Sequence, residues 1–259
     1  MSNYYYRCTH CNSLFEASFI EQNLIFLYPN CGKAERNKPL VGILILEYDY
    51  DSLKKKISRD LFLKHNIGSI WEFRELIPLE FNDNGLKNIP IEKINSLRLI
   101  CNPLIRLTHK NFNLFAFDDT RNPTFSYKDR ASILVALKAI QFGIRTISAA
   151  STGNAGSSIA GICARLGLNS NIFVPQSIPE AKRIQIQSYG ANLFVVDGTY
   201  DDAFDLCLEI SAKKDGIIEI QLTIHLLLKG RYGVLTTFFF HSMDIFHKIY
   251  LFLLVMELF

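Results

Sequence analysis

The sequence has little excess of either charge, and this argues against nucleic acid as a partner. Its 259 residues include 28 Lys and Arg against 25 Asp and Glu, so the formal net charge at pH 7 is only +3. Proteins that bind nucleic acid through phosphate contacts usually carry a basic face or stripe. Here the two signs are mixed along the chain, and we expect no nucleic-acid partner.

Long apolar runs are also scarce, and none reaches the length of a membrane span. The most apolar stretch, IYLFLLVMELF, is shorter than the ~20 residues that a spanning helix needs. His241, Asp244, His247 and Lys248 interrupt any longer version. The first residues, MSNYYYRCTH, contain no apolar secretory core. These absences predict a protein that is not in a membrane, with the cytoplasm as its expected location, and they leave the oligomeric state unknown.

Two common phosphate-binding signatures are missing as well. The stretch SAASTGNAGSSIAG, residues 148–161, is a glycine-containing turn between a predicted strand and a predicted helix. It lacks the G-x-G-x-x-G spacing of a dinucleotide site, and no G-K-[ST] follows to make a Walker loop. The turn therefore does not indicate a nucleotide cofactor.

What the sequence does contain is a regular alternation of strand and helix signals within residues 101–216. Short turns with Gly or Pro separate the segments, and such alternation predicts βαβ units and a parallel sheet. The segments in order are NLFAFDD (strand), SYKDRASILVALKAIQFG (helix), RTISAA (strand), STGNAGSSIAGICARLGL (loop, then helix), NSNIFVP (strand), PEAKRIQIQSYG (helix), ANLFVVDG (strand) and TYDDAFDLCLEISAKKDG (helix).

One lysine stands at a predicted strand-to-helix turn, in the stretch PTFSYKDRAS at residues 123–132. Lys128 is flanked by the aromatic residues Phe125 and Tyr127 and by the charged pair Asp129 and Arg130. Partial desolvation between aromatic rings would favour the neutral amine that Schiff-base chemistry requires. The lysine alone also fits a solvated first-turn residue that pairs with Asp129.

A second turn places Ser151, Thr152, Gly153 and Asn154 between a strand and a helix. Such a turn presents backbone N–H groups and the positive end of the helix dipole, which together make an anion site. The hydroxyls add donors, and the Asn154 amide can both donate and accept. Alone, the turn also fits an ordinary helix start with small residues for close helix packing.

Together, NPTFSYKDRAS and STGNAG, in this order and at this interval, resemble the pyridoxal-phosphate enzymes of the tryptophan-synthase-like fold. The lysine context N-P-T-x-S-[FY]-K-D-R is similar to that of threonine synthases, whereas dehydratases usually lack the Asp-Arg pair. The resemblance covers about residues 100–216. It implies an α/β chain with the parallel-sheet, three-layer architecture of pyridoxal-phosphate-dependent fold type II, the fold of the tryptophan synthase beta subunit.

The resemblance also implies a reaction and a set of roles. Threonine synthases are lyases that convert O-phosphohomoserine and water to threonine and phosphate, so the expected partner is a small amino-acid phosphate. The catalytic lysine matching Lys128 holds pyridoxal 5'-phosphate as a Schiff base, and the asparagine matching Asn154 bonds the ring hydroxyl of the cofactor. The substrate carboxylate is received by the loop that matches Ser151, Thr152, Gly153, Asn154 and Ala155.

The N-terminal cysteines resemble the zinc-ribbon-like module with which a subset of that family begins. Cys8-x-x-Cys11 makes one complete pair, but the second pair is replaced by Y-P-N-C, with Tyr28 three residues before Cys31. The alternatives are therefore a zinc site on Cys8, Cys11 and Cys31, or a degenerate module with free thiols. The core is the expected location of the remaining three, Cys101, Cys163 and Cys207.

Four regions follow from these signals. They are a degenerate zinc-ribbon-like module (1–35), the N-terminal part of the large cofactor domain (36–140), a small α/β domain (141–216) and a divergent apolar tail (217–259). The tail lacks turn signals and the closely spaced glycines of the family's phosphate-binding loop. We expect a family member that is incomplete at its C-terminus and impaired in activity. A serine/threonine dehydratase-like enzyme and a non-catalytic relic or binding protein are the alternatives.

Overall fold

The architecture comes from a computed structural model, which describes residues 4–23, 25, 27–36, 38–56, 75, 77–82, 85–97, 104–108, 114–213 and 217–218. The strands are β1 (Tyr4–Cys8), β2 (Leu14–Glu16), β3 (Leu44–Tyr48), β4 (Phe81–Asn82), β5 (Gly85–Leu86), β6 (Leu104–Leu107), β7 (Leu114–Phe117), β8 (Thr146–Ala150), β9 (Asn169–Pro175), β10 (Asn192–Val196) and β11 (Ile217–Ile218). The helices are α1 (Ala17–Gln22), α2 (Tyr50–Lys56), α3 (Ile91–Ser96), α4 (Asp129–Gln141), α5 (Asn154–Leu166), α6 (Glu180–Ser188) and α7 (Tyr200–Lys213), with a 3-10 turn at Asp119–Arg121.

A four-stranded parallel sheet, in the order β10-β9-β8-β11, lies at the centre of the described structure. Helices α5, α6 and α7 connect its strands in chain order, which confirms the predicted parallel sheet. Gly143 ends α4 and Gly167 ends α5, with φ values of 73° and 68°. These lie in the left-handed region that glycine adopts without a Cβ clash.

Consecutive buried residues along β8 and β9 show that helices cover both faces of this sheet. Ile172 points into the larger core, which also contains residues of α4, α5 and α6. Its neighbour Phe173 points to the opposite face, where it packs with Ala203 and Cys207 of α7. The described structure therefore has helices, sheet and helices in three layers.

The N-terminal region, predicted as a degenerate zinc-ribbon-like module, contains regular secondary structure. It forms a three-stranded antiparallel sheet in the order β2-β1-β3. Tyr4, Tyr6 and Cys8 alternate along β1 and are buried in the larger core. Because β3 begins at Leu44, this sheet joins residues on both sides of the predicted boundary at residue 35.

A buried ion pair connects this N-terminal sheet to helix α4. Lys138 Nζ lies 2.8 Å from Glu21 Oε2, and the two side chains are only 1% and 8% exposed. The hydroxyls of Tyr4 and Tyr6 donate to Glu21 at 2.8 and 3.0 Å, and Lys138 also donates to the Pro78 carbonyl at 3.0 Å. Burial lowers the pKa of Lys138, and the contact with Glu21 opposes that shift. Neither charge can be removed alone without leaving the other buried and unpaired.

One predicted strand lies outside the parallel sheet. The segment LFAF forms β7, but β7 pairs antiparallel with β6 in a separate two-stranded sheet. The local pattern correctly predicted a strand, because strand character depends on neighbouring residues. It did not indicate the pairing partner, which lies earlier in the chain.

The remaining predictions for the fold divide between described and undescribed residues. Cys163 and Cys207 are fully buried, as predicted, whereas Cys101 and all of the apolar tail beyond residue 218 lie outside the described residues. Within the part of the chain that the structure describes, no helix combines the length and the apolar character that a bilayer span requires.

Candidate active site

Lys128 lies where the chain enters helix α4, at the position directly before the first helical residue. Its Nζ is 4.6 Å from the centroid of the Tyr127 ring, and the residue is half-buried. Phe125, in contrast, is 71% exposed and does not cover the lysine. The expectation that both rings shield the Lys128 amine from water is therefore wrong for Phe125. Of the two rings, Tyr127 contacts the amine, as a cation–π partner.

The turn before Lys128 has an unusual backbone that several hydrogen bonds hold in place. Phe125 has a φ of +63°, a left-handed conformation that is unfavourable for a residue with a Cβ. The Phe125 N–H donates to the Asn122 carbonyl at 2.9 Å, and Asn122 Nδ2 donates to the Ser126 carbonyl at 3.0 Å. Because Asn122 and Ser126 are both buried, this turn is a fixed part of the fold.

Asp129 is the residue that fixes the Lys128 turn to the rest of the protein. Its fully buried carboxylate accepts hydrogen bonds from the Thr124 N–H at 2.6 Å, from the Thr124 hydroxyl, and from Ser158 Oγ at 2.6 Å. Burial raises the pKa of Asp129, and the hydrogen bonds from Ser158 and Thr124 oppose that rise. Asp129 is therefore occupied by these partners, and the alternative interpretation of a Lys128–Asp129 pair is not what the structure shows.

Arg130, the second charged residue of the motif, also has a structural partner. Its Nη2 lies 2.7 Å from Asp119 Oδ1, in the 3-10 turn that precedes the Lys128 turn. Asp118, which begins that turn, accepts a hydrogen bond from the Thr120 N–H at 3.1 Å. Both aspartates thus act in turn and pairing contacts.

The second candidate turn leads into helix α5, which begins at Asn154. The Gly153 N–H lies 3.4 Å from Ser151 Oγ, and no side chain caps the first turn of the helix. The first N–H groups of a helix have no partner within the helix, so an uncapped start leaves them for water or a ligand. The predicted substrate-binding residues are all half-buried: Ser151, Thr152, Gly153, Asn154 and Ala155.

The glycines near this turn differ in how closely other atoms approach them. A Cβ on Gly156 would lie 2.7 Å from the Ser151 carbonyl oxygen, and one on Gly161 would lie 2.5 Å from Thr124 Cγ2. Both positions therefore require glycine for packing, as the close-packing interpretation of the motif predicted. A Cβ on Gly153 would meet nothing within 4 Å, so no contact with the described residues requires a glycine at this position.

The fold brings the two turns together. Ser158, one helical turn after Asn154, contacts Asp129 at 2.6 Å and Ser132 Oγ at 2.8 Å, so the start of α4 lies against the start of α5. The close approach of Gly161 to Thr124 continues this contact along α5. Lys128 and Asn154 thus stand at the N-terminal ends of two adjacent helices.

A further polar residue, not indicated by the sequence, contacts this site. Lys182, on helix α6, donates to Asn154 Oδ1 at 2.6 Å. Lys182 could not be predicted as a site residue from the sequence, because it lies in an ordinary amphipathic helix start, PEAKRIQIQ, with no motif around it. Its only signal was a cation in the first turn of a helix, where the dipole disfavours positive charge.

The three N-terminal cysteines form a separate cluster. Cys8 Sγ lies 3.4 Å from Cys31 Sγ, and Cys31 Sγ lies 3.8 Å from Cys11 Sγ. All three sulfur atoms are within 4.8 Å of one another, and the His10 N–H donates to Cys8 Sγ at 3.4 Å. Tyr28, which stands in the place of a fourth cysteine, instead packs on Phe15 with ring centroids 4.8 Å apart.

Comparison with known proteins decides the family. The model of the pyridoxal-phosphate dependent enzyme family matches residues 96–227, which is more than half of the chain. The chain belongs to the pyridoxal-phosphate-dependent enzyme family. Together with the three-layer parallel sheet, this confirms the predicted fold class, pyridoxal-phosphate-dependent fold type II.

The relatives in this family include threonine synthases. The enzyme from Methanocaldococcus jannaschii is 30% identical over 179 residues, which cover 67% of this chain and 42% of the relative. The enzyme from Methanosarcina acetivorans is 26% identical over 204 residues, covering 78% and 45%. The chain thus spans less than half the length of these relatives. Apo diaminopropionate ammonia lyase from Escherichia coli superposes with a TM-score of 0.47 at 16% identity, over 66% of this chain and 55% of that one.

The residues at the two turns fit the cofactor of this family. Lys128 supplies an amine, the uncapped start of α5 supplies N–H donors, and the open space beside Gly153 leaves room for a bound group. The binding roles predicted for these residues stay predictions.

We expect Asp129→Asn to destabilise the protein by about 1–3 kcal/mol, because an amide group would then face hydroxyl or N–H donors that need an acceptor. Urea denaturation of the full chain measures this change. Asp201→Asn, at an exposed position in α7, is the control and should change stability by less than about 0.5 kcal/mol. Equal effects of the two substitutions would contradict the anchoring role of Asp129.

Two alanine substitutions separate packing from ligand binding at the second turn. Gly156→Ala should destabilise the fold by about 1–3 kcal/mol, because its Cβ would clash with backbone. Gly153→Ala should change stability by less than about 0.5 kcal/mol, yet weaken pyridoxal phosphate binding about 10-fold or more by filling the open space. Urea denaturation and absorbance titration measure the two effects, and unchanged cofactor affinity in Gly153→Ala would show that this space is not used.

Proposed function

We propose that the chain is a threonine synthase-like carbon–oxygen lyase, which converts O-phosphohomoserine and water to threonine and phosphate with pyridoxal phosphate. The observation that carries the proposal is the Asp129–Ser158 contact, because it places the Lys128 turn against the helix that begins at Asn154. The family match and the similarity to threonine synthases support the same chemistry.

Lys128 is the proposed catalytic residue. Its primary amine would hold the cofactor through the aldehyde group, and a free Nζ can accept and donate protons beside the substrate. The fixed turn around Phe125 and the anchor at Asp129 limit the positions that the amine can take. Since proton transfer depends on distance, a fixed backbone beneath a flexible lysine favours repeated transfer at one substrate atom.

The start of α5 is the proposed binding site for the substrate carboxylate. Ser151 and Thr152 provide hydroxyl donors, and the uncapped helix provides backbone N–H groups and the positive end of its dipole. Asn154 is proposed to donate from its amide to the ring oxygen of the cofactor. When bound, pyridoxal phosphate supplies a pyridine ring that stabilises negative charge beside the substrate amino group.

We also propose that Cys8, Cys11 and Cys31 bind one Zn²⁺. Tetrahedral zinc with Zn–S distances of about 2.3 Å holds its sulfur ligands about 3.8 Å apart, close to the separations in the cluster. Three thiolates would hold the ion, and Tyr28, in the place of a fourth cysteine, packs on Phe15. Within the cluster, Cys8 is buried and Cys11 is exposed. A metal ion can therefore reach the cluster from solvent through the Cys11 side.

The proposed activity predicts a visible absorbance band when pyridoxal phosphate is added to the purified full chain. Lys128→Ala should abolish the band, because no amine then remains at this position, whereas Lys54→Ala on the exposed face of α2 should retain it. With O-phosphohomoserine as substrate, the wild-type chain should release phosphate only slowly, because its sequence lacks the closely spaced glycines of the family's phosphate-binding loop. The release is measured colorimetrically.

Two other results would contradict this proposal in different ways. Ammonia release from serine or threonine without phosphate release from O-phosphohomoserine would identify a dehydratase-like enzyme. Binding of phosphate or an amino acid with no lysine-dependent absorbance band would identify a non-catalytic binding protein.

The zinc proposal predicts about one tightly bound Zn²⁺ per chain, measured with a colorimetric chelator after reduction of the thiols. Cys11→Ser should weaken zinc binding by at least about 10-fold, because thiolate is a better zinc ligand than a hydroxyl. Cys207→Ala, at a buried position of α7, is the control and should not alter zinc binding. Equal zinc binding by both variants would rule out the cluster as the site.

A further inference from the structure

Lys182 contacts the candidate site from a different helix. It lies in the first turn of α6, after Pro179, and its Nζ is 2.6 Å from Asn154 Oδ1 and 3.0 Å from Gln185 Oε1. Asn154 is the first residue of α5, so this contact joins the beginnings of two helices that follow successive strands of the parallel sheet.

The chemistry of lysine determines the orientation of the Asn154 amide. An ammonium group has three donors and no acceptor, so the atom that faces Lys182 must be the amide oxygen. The amide nitrogen Nδ2 is then directed away from Lys182, with both of its hydrogens available. Among the described residues, Nδ2 of Asn154 forms no hydrogen bond.

Lys182 also has no anionic partner in the described part of the chain. Its two contacts are neutral amide oxygens, and no described carboxylate lies within 4.0 Å of its Nζ. Burial lowers the pKa of Lys182, in keeping with a partly desolvated cation that lacks a countercharge. Both this ammonium group and the N-terminal end of the α5 dipole favour an anionic oxygen near Asn154.

We propose that Lys182 is a positioning residue for the cofactor. It holds the Asn154 amide so that Nδ2 presents a donor to the ring oxygen of pyridoxal phosphate, and its charge favours the anionic form of that oxygen. This inference rests on the proposed function for the identity of the ligand. The Lys182–Asn154 contact itself is independent of it.

The first test compares three proteins by absorbance titration with pyridoxal phosphate. Lys182→Met, which removes both donor and charge at similar length, should raise the dissociation constant about 10-fold, the equivalent of one hydrogen bond to a charged group. Lys182→Arg keeps donor and charge and should bind within about 3-fold of wild type. Lys54→Met, the same change on an exposed helix, should have no effect.

The second test requires no cofactor. Urea denaturation of wild type, Lys182→Met, Asn154→Ala and the double variant forms a double-mutant cycle. If the two side chains interact, the unfolding equilibrium constants should depart from multiplicative behaviour by about 2-fold or more. A cycle without coupling would overturn the contact, whatever the cofactor measurements show.

The two tests distinguish failure of this inference from failure of the proposed function. No cofactor binding by the wild-type chain would overturn the proposed function and, with it, the cofactor role of Lys182, while the cycle still decides the contact. Cofactor binding that is equally tight in wild type and Lys182→Met would overturn the positioning role alone. Loss of binding in Lys182→Arg as well as in Lys182→Met would likewise contradict positioning by a donor and a charge.

Discussion

The buried carboxylate of Asp129 is the interaction on which the candidate site depends. It accepts hydrogen bonds from Thr124 within its own turn and from Ser158 on the neighbouring helix. One side chain therefore sets both the shape of the Lys128 turn and its separation from α5. A buried charge destabilises the fold unless its hydrogen bonds are complete, so the geometry of the site and the stability of the protein are set by the same contacts.

Helix α4 is held by a buried charge at each end. Asp129 anchors its first turn to α5, and Lys138, near its last turn, pairs with Glu21 beneath the N-terminal sheet. The sheet that carries the cysteine cluster is thus packed on the same helix that presents Lys128, and both belong to one continuous core. This packing gives the N-terminal region a structural role in the site, in addition to any metal that it binds.

Much of the site could be predicted from the sequence because its signals are local. The lysine turn, the STGNA turn, and the alternating strands and helices each depend on residues close together in the chain, and the structure contains them at nearly the expected positions. The three cysteines also converge as their spacing suggested. The exposed Phe125 and the antiparallel pairing of β7 could not be predicted, because exposure and strand pairing depend on parts of the chain that are distant in sequence.

By itself, the sequence determined which residues begin the helices and which of them carry reactive or donor groups, since helix starts and turn chemistry are short-range properties. Only the tertiary structure decided that Asp129 accepts a hydrogen bond from Ser158 rather than pairing with Lys128, and that Lys182 reaches Asn154 from another helix. The parallel sheet is the physical reason. It places the starts of α5 and α6 at the same edge, so residues separated by 28 positions come into hydrogen-bonding contact.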